Sequence, residues 1–254
     1  MSETSPFEGC YRRVIDLKAW DEHTVVGWLE DDLHHFGLTL IHDGRVVTDV
    51  HGAARRYPWT TCPGAVAALA DLIGKPLVAR CTDVGRQIEM RQQCTHLFDL
   101  VGLLSAHAFH RRDHRRYHAT VEVLGEDKAR SPWRRAILRR DGVPVMSWDL
   151  EGNQIRVPAE FGGQSMDRGF RPWTESLDEE PAEQATVLRR AVFVSGARFK
   201  ESRIEAIPGP SEVPVVCHSY RLDIREGARR DAAAASRRFD QGDGEMVALV
   251  NSKP

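Results

Sequence analysis

The residues of this chain best suited to chemistry lie in its first half. Asp31, Asp32, His34 and His35 stand together at the head of one apolar stretch, Cys62 opens a second, and Cys94, His96 and Asp99 open a third. Carboxylates, imidazoles and thiolates are the donors that proteins offer to transition metals. The candidate ligands for zinc or iron are therefore Asp32, His34, Cys62, Cys94 and His96. His35 and Asp99 are candidate general bases, because an imidazole titrates near neutral pH and a carboxylate can orient it. Cys62 and Cys94 each precede a run of helical periodicity, where the macrodipole and free backbone amides lower a thiol's pKa.

Each residue also has a plainer explanation. Free cysteine is among the most buried residue types, and a histidine at a strand start is often just hydrogen-bonded in the core. Two helix-starting cysteines beside a His-His pair strengthen the metal reading, yet the signal is weaker than a paired Cys-x-x-Cys zinc site.

A second cluster follows. His107, His110, His114 and His118 interleave with Arg111, Arg112, Arg115 and Arg116 at spacings of three and four, which would line one helical face. So many neighbouring cations repel a metal ion, so a solvated face that steers an anionic small-molecule substrate is expected there. There is no Gly-x-Ser-x-Gly elbow, no Gly-x-Gly-x-x-Gly and no phosphate loop ending in Gly-Lys-Ser/Thr, so neither a serine hydrolase nor a nucleotide cofactor has support.

Charge and composition narrow the class further. The chain has 35 basic and 37 acidic residues and a net charge of -2, which gives no global pull toward nucleic acid or an acidic membrane. No stretch approaches the roughly 18 apolar residues needed to span a bilayer. The opening MSETSPFEGCYRR lacks the apolar core of a signal peptide. Five scattered cysteines do not make a secreted disulfide framework. The expectation is a cytoplasmic protein with reduced or metal-bound thiols, no nucleic-acid or membrane partner, and homo-oligomerisation left open.

The elements that must position these residues can be read from periodicity. Residues 11–15 and 24–30 read as short strands, and residues 33–42 alternate, with His34, Phe36, Leu38 and Leu40 on one face. Asp43-Gly44 then reverses the chain, pairing residues 36–41 with 46–50. Cys62 heads a helix with Val66, Leu69, Ala70 and Ile73 as its stripe, stopped by Gly74-Lys75-Pro76, and Cys81 falls in a linker outside any constellation. A second helix runs from Cys94 through Leu97, Val101, Leu104 and Ala108 before dissolving in the basic stretch 111–116. Residues 117–124, 133–140, 143–150 and 154–157 read as an antiparallel meander. A polar loop after Gly162-Gly163 leads to a helix over 176–199, with Pro181 in its first turn and Ala185, Leu188, Val192 and Phe193 buried. The tail after Tyr220 shows no clear pattern.

The phrases DDLHHFGLTLIHDG, RYPWTTCPGA and QCTHLFDL together resemble a bacterial family known as domain of unknown function 2889. LRRAVFVSGAR followed by VCHSY extends the likeness into the second half, and the resemblance implies no activity. A remoter resemblance is to the NifU-like iron–sulfur scaffold fold, in which a strand hairpin leads to a Cys-headed helix ending at Gly-Lys, with a second Cys-headed helix after it. The corresponding pieces are LTLIHDGRVV, CPGAVAALADLIGKPL and CTHLFDLVGLLSAHA. This resemblance implies metal-binding positions near Asp32 or His34, on Cys62, and on Cys94 with a neighbouring histidine. Asp31-Asp32-Leu33-His34-His35 replaces the scaffold's Cys-Gly-Asp, and His96 follows Cys94 instead of preceding it, so the same cup could hold a metal without assembling a cluster.

The fold expected is α+β, with a NifU-like N-terminal half of antiparallel hairpins followed by helices (residues 1–112) and a second half of antiparallel sheet plus helix (residues 113–254). The function expected is a metal-dependent hydrolase or lyase acting on a small carboxylate, ester or aromatic compound. A sulfur-transfer or iron–sulfur accessory protein and a non-catalytic ligand-binding module are the alternatives.

Overall fold

The computed structural model describes residues 9–199, 206, 207, 209, 215–230 and 252–254, which divide into two compact units. One contains residues 15–115 with the described residues beyond 203; the other contains residues 9–14 and 116–199. The residues between 231 and 251 of the weakly patterned tail lie outside those described.

In the first of these units the apolar runs become β1 (Tyr11–Asp21, from Ile15 onward in this unit), β2 (Thr24–Asp31), β3 (His35–His42) and β4 (Val47–Arg56). Their order is β4-β3-β2-β1, with β2–β3 and β3–β4 antiparallel. Asp43 closes the expected hairpin: its Oδ1 accepts the amides of Arg45 and Val46, and Gly44 takes a φ of +91°. The pairing His42↔Val47 through His35↔Arg56 carries β4 beyond the expected end, to Arg56. Central strands must bury both faces, so β2 is buried throughout and β3 nearly so.

One face of this sheet carries Val25, Gly27, Leu29 and Asp31 with their cross-strand partners Leu40, Leu38 and Phe36. It is covered by α1 (Thr95–Phe109) and the segment Cys62–Leu72. Gly27 lies under Leu100 and Leu104 of α1, and Gly52 under Val66. The segment after Cys62 winds as a 3-10 helix and not the expected α-helix, so Cys62, Ala65, Leu69 and Leu72 form the buried stripe while Ile73 is 47 % exposed. Its alanines keep the eclipsed i,i+3 rows of that tighter winding uncrowded.

Two expectations need correction. Cys81 is not in an open linker: it is buried and opens the 3-10 segment Cys81–Arg86, which packs against α1. The His/Arg cluster does not line a helix either. α1 ends at Phe109, Arg111 turns the chain with a φ of +52°, and β5 (His114–Val123) begins at once. His107 is buried within α1, His110 caps it and faces the Ala79 carbonyl at 3.0 Å, and His114 meets Asp16 at 2.6 Å. The run Tyr117–Val123 is rich in β-formers, and the strand it starts extends backward through the basic residues.

The second unit holds the meander: β5, β6 (Trp133–Arg140), β7 (Val143–Glu151) and β8 (Gln154–Val157), neighbours in that order and antiparallel. Asp141 and Gly142 both take positive φ, as a two-residue hairpin turn of this twist requires. The expected loop after Gly163 contains a short helix, α2 (Phe170–Glu175), which aromatic packing explains: Phe170 and Trp173 both reach Trp148, at 6.3 Å between ring centroids. α3 (Glu179–Phe199) buries Ala185, Leu188 and Val192 as expected against β6 and β7, while Phe193 is half-buried beneath Arg189. The fold is α+β.

Among the described residues no helix is long and apolar enough to cross a membrane.

Gly102 generates a test. A Cβ placed there would stand 2.3 Å from the Cys81 carbonyl oxygen, a backbone atom that cannot swing aside. Alanine improves helix propensity by about 1 kcal/mol, but the clash forces a backbone shift costing about 1–3 kcal/mol or more. With the close 2.3 Å approach placing the cost at the upper end of that range, Gly102→Ala is expected to be net destabilising, by roughly 2 kcal/mol in urea unfolding. An unchanged or raised midpoint would show that α1 and the 81–86 segment are not in contact there.

Candidate metal centre

Strand alternation in β2 sends Asp31 to the same face as Leu29, toward the start of α1. There the chain turns on the aspartate itself. Asp31 Oδ1 accepts the amides of Leu33 and His34, both at 2.9 Å, and the Asp31 amide donates to the His34 carbonyl at 2.8 Å. This Asx-type turn is the local reason for an aspartate at the strand end. It folds His34 back over Asp31, with Nδ1 at 2.9 Å from Oδ1.

α1 supplies the third member. Cys94 is its N-cap residue, and two positions on, His96 stacks on the His34 ring with centroids 3.7 Å apart. His96 Nε2 lies 3.8 Å from Asp31 Oδ2, and its Nδ1 lies 3.9 Å from Cys94 Sγ. Phe36 flanks both imidazoles. Asp31, His34 and His96 are 0 %, 8 % and 7 % exposed, and each offers a ligand atom within 4.8 Å of the others. Tetrahedral zinc with bonds of about 2.0–2.1 Å holds its ligand atoms roughly 3.3 Å apart. The 2.9 and 3.8 Å separations bracket that value. Ring lone pairs lie in the ring plane, so two stacked imidazoles share one ion only when one ring rotates out of the stack.

The turn is braced from β4. Arg56 donates through Nη1 to the Asp32 carbonyl at 2.5 Å, and through Nη2 to the Asp31 carbonyl at 2.6 Å and to Glu30 Oε1 at 3.1 Å. The guanidinium fork thus holds two consecutive carbonyls and the buried Glu30 at once, a task for which its planar geometry is suited.

The structure gathers the expected residues only in part. His34 and His96 are in the group. The carboxylate facing them is Asp31, while Asp32, next along the turn, meets Arg56 through its backbone. His35 points to the opposite face, edge-on to Trp28 at 5.4 Å and 3.8 Å from Glu30. Asp99, a turn into α1, is outside the group. Cys94 touches the group through His96, and Cys62 is placed with Ser219, 3.4 Å from its hydroxyl. The signal for Asp31 was available: counting alternate residues of β2 from Leu29 lands on Asp31, not Asp32.

The thiol chemistry also differs from expectation. Burial pushes the Cys94 thiol up, and the neighbouring Cys217 and Cys62 push it further. The amides of Leu97 and His96 at the helix start pull the other way and are outweighed.

Residues 13–110 match the family model described as Protein of unknown function (DUF2889). This segment belongs to the DUF2889 family. The DUF2889 segment holds all of the candidate centre, Arg56, Cys62 and Cys94 included, whereas LRRAVFVSGAR and VCHSY lie beyond the matched residues. No curated protein matches the chain.

Removing Arg56 leaves Glu30 buried without its guanidinium and frees two turn carbonyls. Arg56→Ala is expected to lower unfolding stability by about 3–5 kcal/mol, and Arg56→Lys to recover only part of it, since an ammonium cannot fork across three acceptors. Urea titration of the three proteins checks this. Full recovery by lysine would leave only a simple charge contact.

Proposed function

We propose that the DUF2889 segment binds a zinc or iron ion through Asp31, His34 and His96 and uses it in a hydrolase or lyase reaction on a small carboxylate, ester or aromatic compound. The observation that carries this reading is the convergence of three buried ligand groups from two elements, the turn after β2 and the start of α1. Two imidazoles and one carboxylate leave coordination positions free for water or a substrate oxygen, as in hydrolytic zinc and non-haem iron centres. The brace from Arg56 supports it, because it holds the backbone of the turn from which the Asp31 carboxylate projects, and ligands depend on surroundings that fix their position. The surrounding apolar wall of Phe36 strengthens electrostatic effects inside the cup.

A second reading, a sulfur-transfer or iron–sulfur accessory protein akin to the NifU-like scaffold, draws on the cysteines. Cys62 and Cys94 each begin a helical segment, Cys217 precedes another, and all three lie within electrostatic reach. Thiolates would then carry the iron or sulfur, and Asp31 would be secondary.

The two readings differ in which substitutions empty the protein. Metal analysis of freshly purified, untagged protein is expected to find about one ion per chain in the wild type. The expected value is below about a tenth of that in Asp31→Asn, His34→Ala and His96→Ala, since each loses one of three ligands. Cys62→Ser should retain the ion. Loss in Cys62→Ser with retention in Asp31→Asn, together with sulfide-dependent colour on reconstitution, would transfer the conclusion to the second reading. A metal-free wild type that resists loading would end both.

A further inference from the structure

The unit formed by residues 9–14 and 116–199 packs α3 on one face of its sheet and leaves the other face polar. Alternation in β5 buries Tyr117, Ala119 and Val121 and turns out His118, Thr120 and Glu122. In β6 it buries Ala136 and Leu138 and turns out Arg135, Ile137 and Arg139. Register sets His118 opposite Arg139, Thr120 opposite Ile137 and Glu122 opposite Arg135. β1 adds Arg12, whose Nη1 lies 3.5 Å from His118 Nε2. These side chains line a hollow of about 480 Å³, within the roughly 300–1,000 Å³ typical of small-molecule sites.

The charge in this hollow is unevenly matched. At one end Arg135 makes a two-point contact with Asp149, Nε to Oδ1 at 2.7 Å and Nη2 to Oδ2 at 2.8 Å, and Glu122 stands alongside. That end is neutralised internally. At the other end Arg12 and Arg139 have no carboxylate partner among the described residues, although both are half-buried. Arg139 has no side-chain hydrogen bond or ion pair there at all. The two guanidiniums gathered in one hollow repel each other, and an anion placed between them reverses the sign of that interaction. Guanidinium forks match the geometry of a phosphate or a carboxylate.

We infer that the Arg12–His118–Arg139 end of this hollow binds the oxyanion group, phosphate or carboxylate, of a small molecule whose remainder lies over Thr120 and Ile137. The inference shares no residue with the metal centre and stands or falls independently of it.

The test is calorimetric titration of the full chain with inorganic phosphate and, separately, with succinate. It compares wild type, Arg139→Gln, Arg12→Gln and Arg156→Gln, the last removing the same charge from outside the hollow. Saturable binding of at least one probe is expected, weakened at least about tenfold by Arg139→Gln and by Arg12→Gln, each of which loses a charged hydrogen bond, and unchanged by Arg156→Gln. Binding of phosphate alone assigns a phosphate-bearing ligand, and binding of succinate alone a carboxylate. Arg139→Gln has no side-chain partner to lose, so it should melt like the wild type and can carry the test should Arg12→Gln disturb β1. The inference is overturned by the absence of saturable binding with both probes, by wild-type affinity in Arg139→Gln, or by equal weakening in Arg156→Gln, which would mark general attraction to positive charge.

Discussion

A carboxylate taken fully out of water has to find donors for its lone pairs, and in this protein that demand organises the end of β2. Asp31 meets it with two backbone amides from its own turn and an imidazole brought round by the same turn. The second oxygen is left toward α1, where His96 arrives. α1 packs across β2 and β3, and the missing side chain of Gly27 lets Leu100 and Leu104 settle closely on β2. A methyl group there would stand 3.0 Å from the tips of both leucines, which would have to give by a few tenths of an ångström. The site is thus a by-product of two short-range requirements, donors for one buried charge and close approach of one helix.

Much of the fold was legible because period-2 and period-3.6 patterns were clean where packing is one-sided. The meander came within a residue or so at most ends, and the Asp43-Gly44 turn carried its own chemistry. The pattern failed where tertiary contacts override local signal. The histidine and arginine run has helical spacing, yet the β-branched and aromatic residues after it recruit it into a strand. α2 was hidden because its apolar residues are sparse in sequence and only the indole of Trp148 makes them a cluster. The 3-10 winding after Cys62 is indistinguishable from an α-helix at the level of which residues recur.

At the site, residue types were legible and geometry was not. His34 and His96 were legible as candidate ligands because both belong to constellations at element starts, and their rings stack across some 60 residues of sequence. Choosing Asp32 over Asp31 reflects reading the pair as a block instead of continuing the strand's alternation. The lowered thiol expected at Cys94 fails for a quantitative reason: a helix terminus offers a few amides, whereas full burial removes the whole hydration shell. Helix-start cysteines are activated only when they stay near solvent or beside a cation.

The close contact at Gly102 has a dynamic corollary. Where a helix presents a bare Cα to the carbonyl of a neighbouring segment, the two backbones interlock and neither slides without lifting off the other. α1 and the Cys81–Arg86 segment are then expected to open and close together, as one cooperative element in amide exchange. Because His96 sits in the first turn of that helix, the imidazole is held by a piece of structure larger than its own helix.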